Sequence, residues 1–173
     1  MSQVIISAIN FCIRPVADFD EFARHAGTLL DRCEGSDLVL LPELFTLELF
    51  TTEDDWAELP VGEFTRVARY TEEYRQFFSD EARRRNQHIA AGTHLERRRD
   101  GYYNVAYLFG PDGERYEHEK THIFTAESDW SAEVMRVQSR SSTGVHAVRR
   151  GPLRRCSSAW CPRVGDGGNL RCC

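Results

Sequence analysis

The stretch Leu38-Val39-Leu40-Leu41-Pro42-Glu43-Leu44-Phe45 constrains this chain most. Four consecutive apolar residues between Asp37 and Pro42 read as a short strand buried on both faces. Strands of that kind belong to parallel sheets, so the stretch implies an α/β fold. A carboxylate follows one residue after the strand ends. In open parallel sheets, chemistry collects beyond the C-terminal ends of the strands. Pro42 fixes its own φ and ends the ladder, which places Glu43 on a stiff turn. With Leu41, Leu44 and Phe45 around it, Glu43 is costly to bury as an anion unless a partner meets it. The expectation is a carboxylate able to act as a general base; a solvated glutamate just past a strand is the alternative.

The flanking pattern supports the strand. Val4-Ile5-Ile6-Ser7-Ala8-Ile9 reads as a first, nearly all-apolar strand. Asp18 and Glu21 form a capping-box pair, with Asp18 at the N-cap. Behind them Phe19, Phe22, Ala23, Ala26, Leu29, Leu30 and Cys33 share one helical face, and Gly35 closes the helix. This is a β-α-β unit, whose two strands must be parallel. Cys12 and Cys33 are expected to be small buried hydrophobes. Residues 46–61, with Glu48, Glu53, Asp54, Asp55 and Glu58, read as a solvated acidic loop beside the site. A second helix is expected over about 62–86, its last turn Arg83-Arg84-Arg85 suiting the helix dipole and Asn86 capping it.

The period then changes. Residues 89–95 and 104–109 read as strands, joined by a turn at Arg97-Arg98-Arg99-Asp100-Gly101. A second turn, Gly110-Pro111-Asp112-Gly113, returns the chain through residues 115–118. This is an antiparallel meander in the same sheet. The triple arginine sits in a hairpin turn of an acidic region, so no nucleic-acid partner is expected. Lys120 follows, and it is the only lysine in the chain. Elsewhere the chain uses arginine. A lysine is a compact charge that responds to burial, which an arginine is not. The alternative is an ordinary surface lysine.

A chain of 173 residues with a net charge of −5 allows one domain with a real core. No apolar run approaches the roughly 20 residues that span a bilayer, so no membrane partner is expected. The start, Met1-Ser2-Gln3-Val4, shows no secretory signal, and the expected location is cytoplasmic. The six cysteines are then expected to be thiols rather than disulfides. The charge divides sharply near Trp130. Residues 1–130 hold 14 basic and 25 acidic side chains; residues 131–173 hold 8 and 2. Two segments follow, 1–130 as a partial domain and 131–173 as an unstructured or non-native tail.

Residues 1 to about 130 resemble the nitrilase, or carbon–nitrogen hydrolase, superfamily. Leu38–Leu41-Pro42-Glu43 is similar to the strand that carries that family's glutamate. Gly92 and its strand match the family's central segment. Asn104-Val105-Ala106 with Pro111-Asp112-Gly113 resembles the hairpin before its lysine, and Lys120-Thr121-His122-Ile123-Phe124 resembles the lysine motif. The resemblance implies a nitrilase-like α-β-β-α sandwich, here truncated. It implies hydrolysis of a small amide or nitrile by a thiol nucleophile. Glu43 would be the general base, Lys120 would stabilise the oxyanion, and Glu127 would be a further orienting acid. It implies no metal and no cofactor, and a homodimer for the complete domain. His88, His94, His118 and His122 then need no ligand role and are expected to be hydrogen-bonded or exposed.

The family's nucleophilic cysteine follows an apolar strand and precedes an aromatic and an acidic residue. Neither Cys156 nor Cys161 has that setting, and Pro162 would stop a strand after Cys161. The tail has no period of 2 or 3.6. Its Arg, Ser, Gly and Cys mixture is what GC-rich DNA yields out of frame, so a frame shift soon after Trp130 is the expectation. This chain is then expected to be inactive, a non-catalytic remnant or binding module being the alternative. A zinc site at Cys156, Cys161, Cys172 and Cys173 is disfavoured by the irregular gaps. A disordered nucleic-acid arm is disfavoured by the overall negative charge.

Overall fold

The computed structural model describes residues 4–99 and 101–120, together with the backbone of 153–155. The elements run β1 (Ile6–Ala8), α1 (Phe19–Asp31), β2 (Leu38–Leu40), two 3₁₀ segments (Phe45–Thr52 and Val61–Tyr70), α2 (Thr71–Arg85), β3 (His88–Arg98), β4 (Gly101–Phe109), β5 (Arg115–Glu119) and β6 (Leu153–Arg155). The six strands form one mixed sheet in the order β5-β4-β3-β2-β1-β6. The β-α-β unit is parallel, with Ile6 opposite Leu38 and Ala8 opposite Leu40. β3 continues the parallel part beside β2, and β4 and β5 add the antiparallel meander. β6 lies parallel to β1, inside the tail for which no element was expected. The side chains of β6 and the rest of the tail lie outside the described residues.

Both helices cover one face of the sheet. Phe22, Ala26 and Leu30 of α1 join Tyr74, Phe78 and Ala82 of α2 and Val39, Ile89, Val105, Tyr107 and Phe109 of the strands in one core. The α1 cap forms as its sequence implies: Asp18 Oδ1 accepts the Glu21 N–H at 2.8 Å. Glu21 reaches back one residue further than in a standard capping box, to the Ala17 N–H at 2.9 Å. Arg85 ties α2 to α1 through Asp31 and the Gly27 carbonyl. Gly35 has a φ of +78°, and Asn86 caps α2 at +52°, conformations that glycine and asparagine adopt most readily.

Two expectations need correction. Residues 46–61 are not a wholly solvated loop. Phe45–Thr52 is a 3₁₀ segment with Phe45, Thr46, Glu48, Leu49 and Phe50 buried. Glu48 is inaccessible and pairs with His25 Nδ1 at 2.7 Å, and Glu53 is held by Arg66 and Arg69. The acids masked a run of apolar side chains that packs on α1, while Asp54–Glu58, Pro60 and Val61 stay exposed. The second helix is likewise not continuous. Its first part is 3₁₀, and α-helix begins at Thr71, whose hydroxyl lies 3.2 Å from His94 Nε2 in the sheet. That buried tether sets where the two segments meet.

Candidate active site

Glu43 is placed by the end of β2 and by β3 beside it. The Leu41 N–H donates to the Ala90 carbonyl at 2.9 Å, the last sheet bond before Pro42 ends the ladder. Leu44 then takes a left-handed conformation, φ +54°, unusual for a side chain with a Cβ. Its N–H donates to Thr93 Oγ1 at 2.9 Å, and Phe45 anchors the turn among the rings of Phe11, Phe22 and Phe78. The turn lies directly on Gly92, φ +58°, within the irregularity of β3 between Ala90 and Thr93. A Cβ at Gly92 would sit 2.0 Å from the Pro42 carbonyl oxygen. Only glycine lets the turn carrying Glu43 come so close.

Lys120 arrives from the far end of the meander. Its backbone N–H donates to the Asn104 carbonyl at 2.9 Å, one step beyond the Val105–Glu119 pair. Its ammonium donates to Glu43 Oε1 at 2.8 Å. The two residues are 77 positions apart in the chain. A third group meets the same oxygen: Asn104 Nδ2 donates to Glu43 Oε1 at 3.0 Å. Asn104 is buried. It faces away from Val105 and Tyr107, which pack on the helices, because alternate strand residues point to opposite faces. Glu43 is not deeply buried, as its apolar neighbours suggested; about half of its side chain is exposed, against a quarter for Lys120. The apolar neighbours turn into the core and leave the carboxylate outside. Glu127 lies outside the described residues, as do Cys156 and Cys161.

The helix-covered face of β3 and β4 carries a second charged cluster. Glu96 is met by Arg75 Nη2 at 2.6 Å, by Arg98 Nε at 3.3 Å and by the Tyr107 hydroxyl. Burial alone would raise its pKa, but the Tyr107 hydrogen bond and the Arg75 and Arg98 charges outweigh it and hold the carboxyl below its usual range. Tyr107 is pushed up to about 12, by burial first and then by its bond to Glu96. Beside them His94 stacks on Tyr74 and lies near the Thr46 and Thr71 hydroxyls. Burial pushes His94 down to about 3, the Arg75 charge adding to the effect and Glu96 opposing it. The triple arginine is only partly a turn. β3 runs through Arg98, which also reaches Glu117 and Glu119 on β5.

Reading residues alone missed the roles of Asn104, Thr93 and Gly92 around Glu43. The available signals were a polar amide opening an apolar strand run and a glycine inside a strand.

A family model described as carbon-nitrogen hydrolase matches residues 6–164. The chain belongs to the carbon-nitrogen hydrolase family. The family match thus runs past the change of charge near Trp130. "Probable hydrolase YhcX" of Bacillus subtilis is 32% identical over 129 residues, which are 73% of this chain and 25% of that protein. Nit3 of Saccharomyces cerevisiae, a nitrilase-superfamily member, superposes with a TM-score of 0.52 at 24% identity, over 69% of this chain and 44% of Nit3. A carbon-nitrogen hydrolase from Helicobacter pylori superposes with a TM-score of 0.51 at 23% identity, over 65% of this chain and 38% of that one. These likenesses establish the α/β nitrilase fold for this carbon-nitrogen hydrolase chain. It spans about a quarter of the length of YhcX. Among the described residues, no helix is long and apolar enough to cross a membrane.

Proposed function

We propose that Glu43 and Lys120 are the general base and the oxyanion-stabilising cation of a hydrolase acting on a small amide or nitrile, with a cysteine thiol as nucleophile. One observation carries the reading: the chain's single lysine donates at 2.8 Å to the carboxylate at the end of β2. For an amide, Glu43 takes the thiol proton and the thiolate adds to the carbonyl carbon. The Lys120 ammonium offsets the negative charge that develops on the carbonyl oxygen. The C–N bond then breaks, the amine leaves with the proton, and water releases the acid from the thioester. Glu127 takes the orienting role that the family resemblance implies.

The chain as it stands is proposed to be inactive, because neither Cys156 nor Cys161 follows an apolar run. One observation favours a second reading. β6 lies parallel to β1 in the sheet that leads to Glu43, and Cys156 is the next residue after β6. A panel of small amides and nitriles, followed by ammonia release, separates the two. No turnover by the full chain supports inactivity; turnover abolished by Cys156→Ala supports the second reading. Turnover that survives both Glu43→Gln and Lys120→Met overturns the assignment of base and cation, since loss of a general base costs about 10²–10⁴-fold.

A further inference from the structure

We propose that Asn104 is the positioning residue of the Glu43–Lys120 pair, fixing Glu43 Oε1 so that Oε2 is the oxygen left to receive a proton. The inference rests on the pairing of Glu43 with Lys120 described above and assigns what holds that pair in place. Two donors converge on one carboxylate oxygen: Lys120 Nζ at 2.8 Å and Asn104 Nδ2 at 3.0 Å. Among the described residues Oε2 accepts no hydrogen bond. A carboxylate oxygen that accepts two charge-assisted or amide bonds is the poorer base of the two. Proton transfer is thereby directed to Oε2.

Asn104 acts on both partners at once. Its side chain grips Glu43, and its carbonyl accepts the backbone N–H of Lys120 at 2.9 Å. A carboxylate can only accept, so the contact identifies the amide nitrogen and turns Oδ1 the other way. Oδ1 is buried and, among the described residues, has no hydrogen-bond partner. A buried acceptor without a partner is destabilising. An apolar residue of similar size at position 104 would bury no unpaired acceptor, but it would give up the N–H that meets Glu43. The fold thus tolerates a local cost to keep one N–H on Glu43.

The single lysine makes this testable on the full chain, whether or not it turns over substrate. Protein labelled with ¹³C,¹⁵N-lysine reports Lys120 alone, and its titration midpoint follows the nearby carboxylate. Glu43→Gln is expected to lower that midpoint. In an Asn104→Leu background the same substitution is expected to lower it by less than half as much, because an ungripped carboxylate no longer sits on the ammonium. The melting temperature of Asn104→Leu is expected to equal or exceed that of the parent. Asn104→Ala repeats the comparison with a smaller side chain. An equal drop with and without Asn104 overturns the proposal and leaves the pair intact. No drop even with Asn104 present removes the pair itself, and with it the assignment of Glu43 and Lys120. Unfolding of both Asn104 variants would show a structural residue and also overturn the proposal.

Discussion

Two carboxylates sit on opposite faces of the β3–β4 ribbon, and each is held by a cation. Glu96 faces the helices and has both oxygens taken, one by arginines and the other by a tyrosine hydroxyl. Glu43 reaches the other face with both donors on one oxygen, and about half of it is exposed. A carboxylate surrounded by donors on all sides is a structural anion: protonating it breaks several bonds at once. A carboxylate gripped at one oxygen and open at the other can exchange a proton and keep its place. Neighbouring cations alone do not distinguish the two. The distribution of donors over the oxygens does.

The comparison breaks most severely at Gly92. Alanine there must adopt a φ near +58° and place its Cβ 2.0 Å from the Pro42 carbonyl. Left-handed strain and overpacking each cost about 1–3 kcal/mol. The expected loss is about 3 kcal/mol or more, read from the denaturant midpoint, together with loss of the Lys120–Glu43 coupling. A Gly92→Ala protein within about 1 kcal/mol of its parent would mean that the close approach of the Glu43 turn to β3 is not real. On the other face, Arg75→Met leaves Glu96 buried without its principal cation. Removing one partner of a buried pair costs about 3–5 kcal/mol. Arg75 is slightly accessible, so the lower end is expected, with the Lys120 signal unmoved. A stability change below about 1 kcal/mol would make Glu96 no more structural than Glu43.

The Glu43 side was the more legible in the sequence, and for physical reasons. An apolar run ended by Pro42 announces its own strand and its own turn, and one lysine in an arginine-using chain stands out. The parallel pair of β1 and β2 followed from the helix between them. The Glu96 side left little trace, because its partners Arg75, Arg98 and Tyr107 come from α2, β3 and β4, and only three-dimensional packing gathers them. Glu48 was misjudged for a related reason. Its acidic neighbours suggested solvent, yet its partner His25 lies a helix away. Asn104 was visible as a residue but not as a contact, since its role exists only where the Glu43 turn meets β4.

Acid should sharpen the contrast between the faces. His94 carries an ordinary histidine pKa near 6.5 when unfolded and about 3 when folded. Its pKa is lowered by folding, so the unfolded chain binds the extra proton. Its contribution is complete above about pH 6.5 and is lost as pH falls toward 3. The slope is about 1.4 kcal/mol per pH unit, or about 2 kcal/mol by pH 5. Glu96, also lowered, contributes in the same direction further into acid. Melting temperatures measured between pH 7 and pH 5 should therefore fall, and His94→Gln should flatten that dependence. An unchanged dependence in the variant would show that the charge-sensitive groups of the helix-covered face lie elsewhere.

The smallest effect on stability is expected where the largest effect on chemistry is assigned. Lys120 and Glu43 are about one-quarter and one-half exposed, and ion pairs in such positions contribute about 0–1 kcal/mol. Lys120→Met should therefore shift the denaturant midpoint by less than about 1 kcal/mol, well below Arg75→Met. The same substitution removes the only ammonium side chain facing Glu43 among the described residues. If the loss of stability instead rivals that of Arg75→Met, Lys120 is a strut like the arginines on the opposite face. The difference between a gripped and a poised carboxylate would then not hold in this fold.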